Sequence, residues 1–520
     1  MRTDASFPAS GYLGVMEYRS RRLPALVAVT LAALCVGGCS HGASEAREAA
    51  QPSPTLTQDA SDFAGTIRER VTADAMMAHL TKLQEIADAN DGNRAVGTPG
   101  YDASVDYVAE ALRSKGFDVT VPEFELRFPY ADEPDVTVGG AQVEARPLEF
   151  TVGTPAQGVS GPLLPARVED SPGCTAADYD GLPVAGAVVL VDRGRCPFGD
   201  KQAAAAERGA VALIVANNVD DDESGATLGG QTNVTIPVVS VSKADGARLR
   251  AQPGTTTIKL NAGVRLEKTR NVLAQTKTGS TENVVMVGGH LDSVPAGPGI
   301  NDNGSGVAAV LETALQMGSS PAVHNAVRFA FWGAEEVGLL GSANYVQSLD
   351  VDELKDIALY VNADMLGSPN PAYFTYDGDQ SAPPDPEQGP SRVPEGSAGI
   401  ERTLVAYLKS AGETAQDIRF EGSSDHDGFT RAGIPTGGIF SGALGKMTPE
   451  QAALWDGTAG EDYDPNYHQR TDTLEHIDKS ALDINGGGVA YATALYAQDL
   501  GGRNGVPEHD DRTRHPVPKP

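Results

Sequence analysis

The apolar run Val284–Val287 closes on two glycines and then on His290, and apolar positions resume with helical spacing only beyond Gly304. A short, unbroken apolar run of this kind suits a strand covered on both faces, as in a parallel sheet. The strand spans 284–289 and the helix 304–317. The same succession repeats downstream: a strand over 326–332, a helix over about 339–348, a strand over 357–362, a helix in "GIERTLVAYLKSAG" and a strand in "GGIFSG". Strands alternating with helices predict an α/β domain built on a mainly parallel, mixed central sheet flanked by helices. Upstream, two helical patterns lie between Asp62 and Gly116, before a strand that starts in "DVTVPEF". In the second of them Val105, Val108, Ala109 and Leu112 share one face, and Gly116 suits the stop.

From 136 to 265 the pattern shortens into alternating strands: "VEARPLEF", "GAVVLVDRG", "VALIVANN" and "IPVVSVS", with one helix in "FGDKQAAAAERGA". This predicts an inserted β-rich α+β unit, leaving 62–135 and 266–503 as two parts of one larger domain. Polar, Ala/Ser/Pro-rich residues 40–61 read as a disordered tether, and Pro- and charge-rich residues 504–520 as a disordered tail. Residues 378–398 read as a loop or small lid.

The first residues carry an address. Arg19, Arg21 and Arg22 precede an apolar stretch, Leu23–Val36, too short to remain as a membrane span and suited to a signal peptide within 1–39. Its end, "VGGC", resembles a bacterial lipoprotein signal, in which Cys39 would take a lipid and become the mature N-terminus. Cleavage near Ala43 is the other reading, and Met16 is a second candidate start. Either way the chain is expected to be exported, lipid-anchored at the outer face of the membrane or secreted. Cys174 and Cys196, 22 positions apart, are then expected to pair as a disulfide.

Composition narrows the partners. With 40 Lys and Arg against 70 Asp and Glu, the net charge is −30, which excludes a nucleic-acid partner because phosphates would be repelled.

In an open α/β sheet the ligand site lies beyond the carboxyl ends of the strands. There the sequence places His290, Asp292 and Asp302; then Glu335 and Glu336; then Asp364; then Asp425, His426 and Asp427; and finally Tyr467, His468 and Asp472. Carboxylates crowded without cations raise one another's pKa, and bound dications remove that cost. Imidazole mixed with carboxylate, without thiolate, suits zinc. The donor set is too large for one tetrahedral centre with an open position, and suits two ions sharing a bridging carboxylate.

Taken in order, "HLDSV…NDNGSG", "GAEEVGLLGS", "NADMLG", "SDHDGF" and "YHQRTDT" resemble the di-zinc aminopeptidases of metallopeptidase family 28. Region 136–265 resembles the protease-associated (PA) domain that many of these enzymes carry as an insertion. The resemblance covers nearly all of 62–500. It implies a zinc exopeptidase-like fold, with His290 and Asp364 holding one Zn2+, Glu336 and His468 a second, and Asp302 bridging them. It implies Asp292 as the partner that orients a ligating imidazole, Glu335 as general base and Tyr467 as donor to the oxyanion. The expected substrates are peptides with a free N-terminus, and the expected state a monomer. Some relatives carry arginine where Ser423 stands, so side-chain preference is left open. On the same architecture a carboxypeptidase would need a cationic cluster, for which only Arg431 and Arg470 are unplaced. A glutaminyl cyclase would keep one metal, and an inactive, transferrin-receptor-like binding protein would have lost ligands; the set here is complete.

Overall fold

The computed structural model describes residues 58–166, 173–219, 226–230, 232–383, 392–501 and 505–518. The signal peptide, Cys39 and the tether up to residue 57 lie outside them. Among the described residues no helix is long and apolar enough to cross a membrane.

The chain enters through helices Gln58–Arg70, Ala73–Asp88 and Pro99–Ser114, so the tether gives way to helix before residue 61. Thr72 and Thr98 cap the second and third helices through their hydroxyls, satisfying an N–H that the first turn leaves free. Val105, Val108, Ala109 and Leu112 are all buried, and Gly116, at φ 84°, turns the chain out of the helix.

The central sheet runs, from edge to edge, 118–120, 272–275, 325–332, 280–290, 357–363, 436–440, 374–376 and 416–418. The strands Asn325–Trp332, Ser280–His290, Ile357–Ala363 and Thr436–Phe440 are parallel neighbours, and antiparallel pairs flank them on both sides. Every residue of Ile357–Ala363 is buried. That is what a parallel strand covered by helices on both faces requires. Helix Gly306–Met317 starts two residues later than its spacing suggests, because Ile300–Ser305 forms an irregular turn that carries Asp302.

The inserted unit hangs from a two-stranded ribbon in which Glu123–Ala131 pairs with Ala262–Arg270. Its own sheet places four parallel strands side by side, Val159–Pro165, Val188–Asp192, Ala212–Ala216 and Val238–Val241, with antiparallel strands at the margins. Cys174 and Cys196 form a disulfide there.

One expectation is corrected. The tail is not a frayed end: residues 505–518 pack on the larger domain, with Val506 and Val517 buried. Their charges mislead because two of them are themselves buried. Arg514 donates to the carbonyls of Leu354, Ile357 and Gly433 at 3.1, 2.9 and 2.7 Å. Arg512 donates to the carbonyls of Glu282 and Lys355 at 2.9 and 2.7 Å. These acceptors lie at or just before the amino ends of three central strands, so the tail stitches the sheet at the edge opposite His290 and Asp364.

Candidate metal centre

At the carboxyl ends of the same strands the scattered ligand-type residues converge. His290 ends its strand. Its Nε2 lies 3.1 Å from Asp302 Oδ1 and 3.5 Å from Asp364 Oδ1, the latter on the loop after Ile357–Ala363. His468 Nε2 lies 3.0 Å from Asp302 Oδ2 and 3.0 Å from Glu336 Oε2. Asp302 therefore turns one oxygen to each imidazole. The arrangement divides into two cation-sized groups, His290–Asp302–Asp364 and Asp302–Glu336–His468, with donor atoms within 4.8 Å of one another in each. Tyr467 stacks on His468 with ring centroids 3.8 Å apart.

Backbone conformation serves this convergence. Ala334, Met365 and His468 are non-glycine residues with φ of 62°, 47° and 59°. Such left-handed residues are held by their surroundings at some cost, and they cluster at functional sites. Here they sit beside Glu335, beside Asp364 and at a candidate ligand itself. The Asp302–Asn303 peptide is cis.

A layer of hydrogen bonds fixes the donors. Nδ1 of His290 faces the backbone carbonyl of Asp292 at 3.0 Å, whereas the Asp292 carboxylate is 3.7 Å away. The carboxylate instead accepts the N–H groups of Glu335 and Glu336, at 3.2 and 3.3 Å. Asp292 thus orients the imidazole through its main chain and holds the 335–336 turn through its side chain. That turn keeps two consecutive glutamates on the cleft, which an extended chain would not do. Asp472 accepts the N–H groups of Asn301 and Asp302 at 2.7 and 3.0 Å, and Ser424 donates to Asp364 Oδ2 at 2.6 Å. Sequence reasoning named Asp472 without giving it a role and passed over Ser424 and Arg94. Serine before "DHDGF" was the available signal for Ser424, whereas Arg94 gave none.

The electrostatics are those of a crowded acidic cleft. Burial lifts the Glu335 carboxyl well above the usual range; His290 opposes the shift, while Glu336, Asp425 and Asp364 add to it. Burial and then Asp302 push Glu336 up to about 7. Asp302 goes the other way, because hydrogen bonds from His290 and His468 outweigh its burial and hold it well below the carboxylate range. Burial works against a charged His468, but hydrogen bonds to Asp302 and Glu336 raise it to about 10. Glu336 Oε1 and Asp364 Oδ1 are buried with no hydrogen-bond partner. Orphaned anionic oxygens at that depth are costly unless a cation meets them. Imidazole nitrogens and carboxylate oxygens, without thiolate, fit zinc.

Asp425 and His426 enter neither group. Asp425 is buried beside Ser342, and His426 packs against Tyr376 and Phe420, which stack on each other. Asp427 lies on the helix His426–Arg431, where it pairs with Arg431.

The profile of peptidase family M28 matches residues 271–493, and that of the PA domain matches 159–249. The probable lipoprotein aminopeptidase LpqL of Mycobacterium tuberculosis is 64% identical over 507 residues, covering 97% of this chain and 100% of its own. The chain belongs to peptidase family M28. An aminopeptidase of Pseudomonas aeruginosa is 41% identical over 439 residues, covering 81% of this chain and 80% of its own. Among solved structures, the aminopeptidase from Aneurinibacillus sp. strain AM-1 superposes with a TM-score of 0.66 at 28% identity, over 84% of this chain and 96% of that one. BSAP, a zinc aminopeptidase from Bacillus subtilis, gives 0.58 at 27% identity, over 84% and 98%. The fold expected for an M28 peptidase with an inserted PA domain is therefore the one found. All five motifs lie within the matched family region, whereas Arg94 lies before it.

Proposed function

We propose that this M28 peptidase is a zinc-dependent aminopeptidase that removes N-terminal residues from peptides. The observation that carries the reading is Asp302 offering one oxygen to each of two donor groups, with Glu335 Oε2 3.9 Å from His290 Nε2. His290, Asp302 and Asp364 would hold one zinc, and Asp302, Glu336 and His468 the other. Two zinc ions there would acidify a water and polarise the scissile carbonyl.

The chain's residues do the remaining work. Glu335, held on the cleft by Asp292, takes a proton from the attacking water and passes it to the departing amine. Tyr467, kept neutral by burial and by Asp302 and Glu336, donates its hydroxyl to the oxyanion that forms on the carbonyl carbon. Acidic groups at the cleft receive the ammonium of a free N-terminus, and a blocked end loses that attraction.

The export reading belongs here too. Cys39 is the lipidated first residue of the mature protein, in keeping with the lipoprotein named in the Mycobacterium tuberculosis relative. Labelled palmitate should enter the wild type and not Cys39→Ala. For the activity, leucine p-nitroanilide turnover and zinc content are measured with and without chelator. Two zinc ions per chain and turnover that chelation abolishes support the proposal. A zinc-loaded chain that cleaves acetylated and free peptides equally defeats it.

A further inference from the structure

Arg94 lies on the loop between helices Ala73–Asp88 and Pro99–Ser114, far in sequence from every ligand, and its side chain is fully buried. Its guanidinium spends its donors on one short segment: Nε to the carbonyl of Pro298 at 2.9 Å, Nη2 to that of Gly299 at 2.6 Å, and Nη1 to that of Leu291. The main chain of Arg94 closes the attachment. Its N–H donates to Ser293 Oγ at 2.9 Å, and its carbonyl accepts the N–H of Ser293 at 3.3 Å. Ser293 Oγ in turn donates to the carbonyl of Gly297 at 3.0 Å. The segment so held, 291–299, begins one residue after His290 and ends three before Asp302. Gly299 stands at φ 62°, and a Cβ there would collide with the Asp302 carbonyl and with Ser293.

We propose that Arg94 is a positioning residue for the metal centre, fixing through a planar three-carbonyl fork the distance and aim between His290 and the bridging Asp302. The chemistry is specific to arginine. A guanidinium presents five N–H groups in a rigid plane and can serve three carbonyls at once, whereas the ammonium of lysine is a point donor on a flexible stem. The charge acts in the opposite sense from the geometry. A buried cation facing Asp292, Asp472, Asp302 and Glu336 competes with dications for those carboxylates, so charge alone would weaken metal binding.

The inference rests on the metal centre described above, and the test separates the two. Full-length wild type, Arg94→Lys and Arg94→Met are compared for zinc affinity by competition with a chromophoric chelator, for kcat and KM, and for the melting temperature of the zinc-free forms. Arg94→Lys should weaken zinc binding about ten- to a hundredfold, the range for lost outer partners of metal ligands, and lower kcat while KM holds. If lysine matches the wild type and methionine binds zinc more tightly, the residue acts by charge and the proposal falls. If both variants only melt earlier, with zinc affinity and kcat of the folded protein unchanged, the role is structural and the proposal falls equally. Should neither variant fold, Ser293→Ala decides: it removes one tie of the same segment and should loosen zinc in the same direction, to a smaller extent, whereas unchanged affinity overturns the proposal. A wild type that binds no zinc counts against the metal centre itself.

Discussion

Asp302 Oδ2 lies 3.0 Å from Nε2 of His468, although the two side chains arrive on loops from opposite parts of the second half of the sequence. With Oδ1 turned to His290, this carboxylate is the hinge between the two donor groups. Asp302→Asn keeps its volume, removes its charge and points an NH2 at one imidazole. Bound zinc, read by atomic absorption after desalting, should fall from two per chain to one or fewer. Turnover should drop by more than about a hundredfold, since even outer partners of metal ligands are worth ten- to a hundredfold. Two zinc ions retained at full activity would show that Asp302 does not bridge.

Glu335 should separate from the ligands in kinetics. It belongs to neither cation-sized group, and Asp292 holds its N–H at 3.2 Å. Glu335→Gln preserves shape and hydrogen bonding but cannot carry the proton. We expect both zinc ions to remain, KM to hold, and kcat to fall about a hundred- to ten-thousandfold, the usual worth of a positioned acid–base. Loss of zinc in this variant would assign Glu335 to the ligands instead.

Legibility in the sequence followed the physical range of each signal. The parallel core was readable because Ile357–Ala363 and its neighbours are apolar throughout, a pattern that burial on both faces imposes locally. His290, Asp302, Glu336 and Asp364 were readable because each stands at the end of such a strand or on the loop that follows it, whereas His468, beyond the helix Pro449–Trp455, was readable only through the resemblance of its motif. What was hidden depends on contacts distant in sequence. Arg94 looks like any loop arginine until its three carbonyl acceptors are seen. Asp292 sits in the right motif, yet the spacing cannot say that its main chain serves His290 while its carboxylate serves the 335–336 turn. The tail failed for the same reason: composition counts Arg512 and Arg514 as solvent-facing charges, and only the packed sheet shows them buried.

The zinc-free protein should lose stability as pH rises. Burial lifts Asp472 from 3.8 to about 8, with Asp302 and Asp464 adding and the N–H groups of Asn301 and Asp302 opposing. Glu336 is lifted from 4.5 to about 7. A carboxyl whose pKa is higher folded than unfolded favours the folded state while protonated. That contribution is complete below the unfolded value and is lost as pH climbs through the folded one. His468, raised from 6.5 to about 10, acts in the same sense: its contribution is complete only below its unfolded value and declines from there upward, adding to the fall in the upper part of this interval. The melting temperature of chelator-treated protein should therefore fall between pH 5 and 8. The stabilisation on adding zinc back should be larger at pH 8, where the carboxylates are ionised and repel one another. Scanning calorimetry at both pH values, with and without zinc, checks this; a zinc-free melting temperature that rises over the same interval would contradict the assigned shifts.

Removing the tail should cost stability and spare the chemistry. Truncation after residue 501 exposes the surface that Val506 and Val517 cover and frees the carbonyls that Arg512 and Arg514 satisfy. Two buried valines alone are worth about 3 kcal/mol or more, so the zinc-loaded melting temperature should fall by about 5 °C or more. Arg514→Met should also be damaging, because it removes a buried donor from the carbonyls of Leu354, Ile357 and Gly433, of which Leu354 keeps the N–H of Ile357. These acceptors flank the amino ends of strands whose opposite ends carry His290 and Asp364, so kcat and zinc affinity per folded molecule should not change in either variant. A truncated chain that melts like the full-length protein would mean that the tail only rests on the sheet. A loss of zinc in a chain that still folds would instead couple the two ends of these strands.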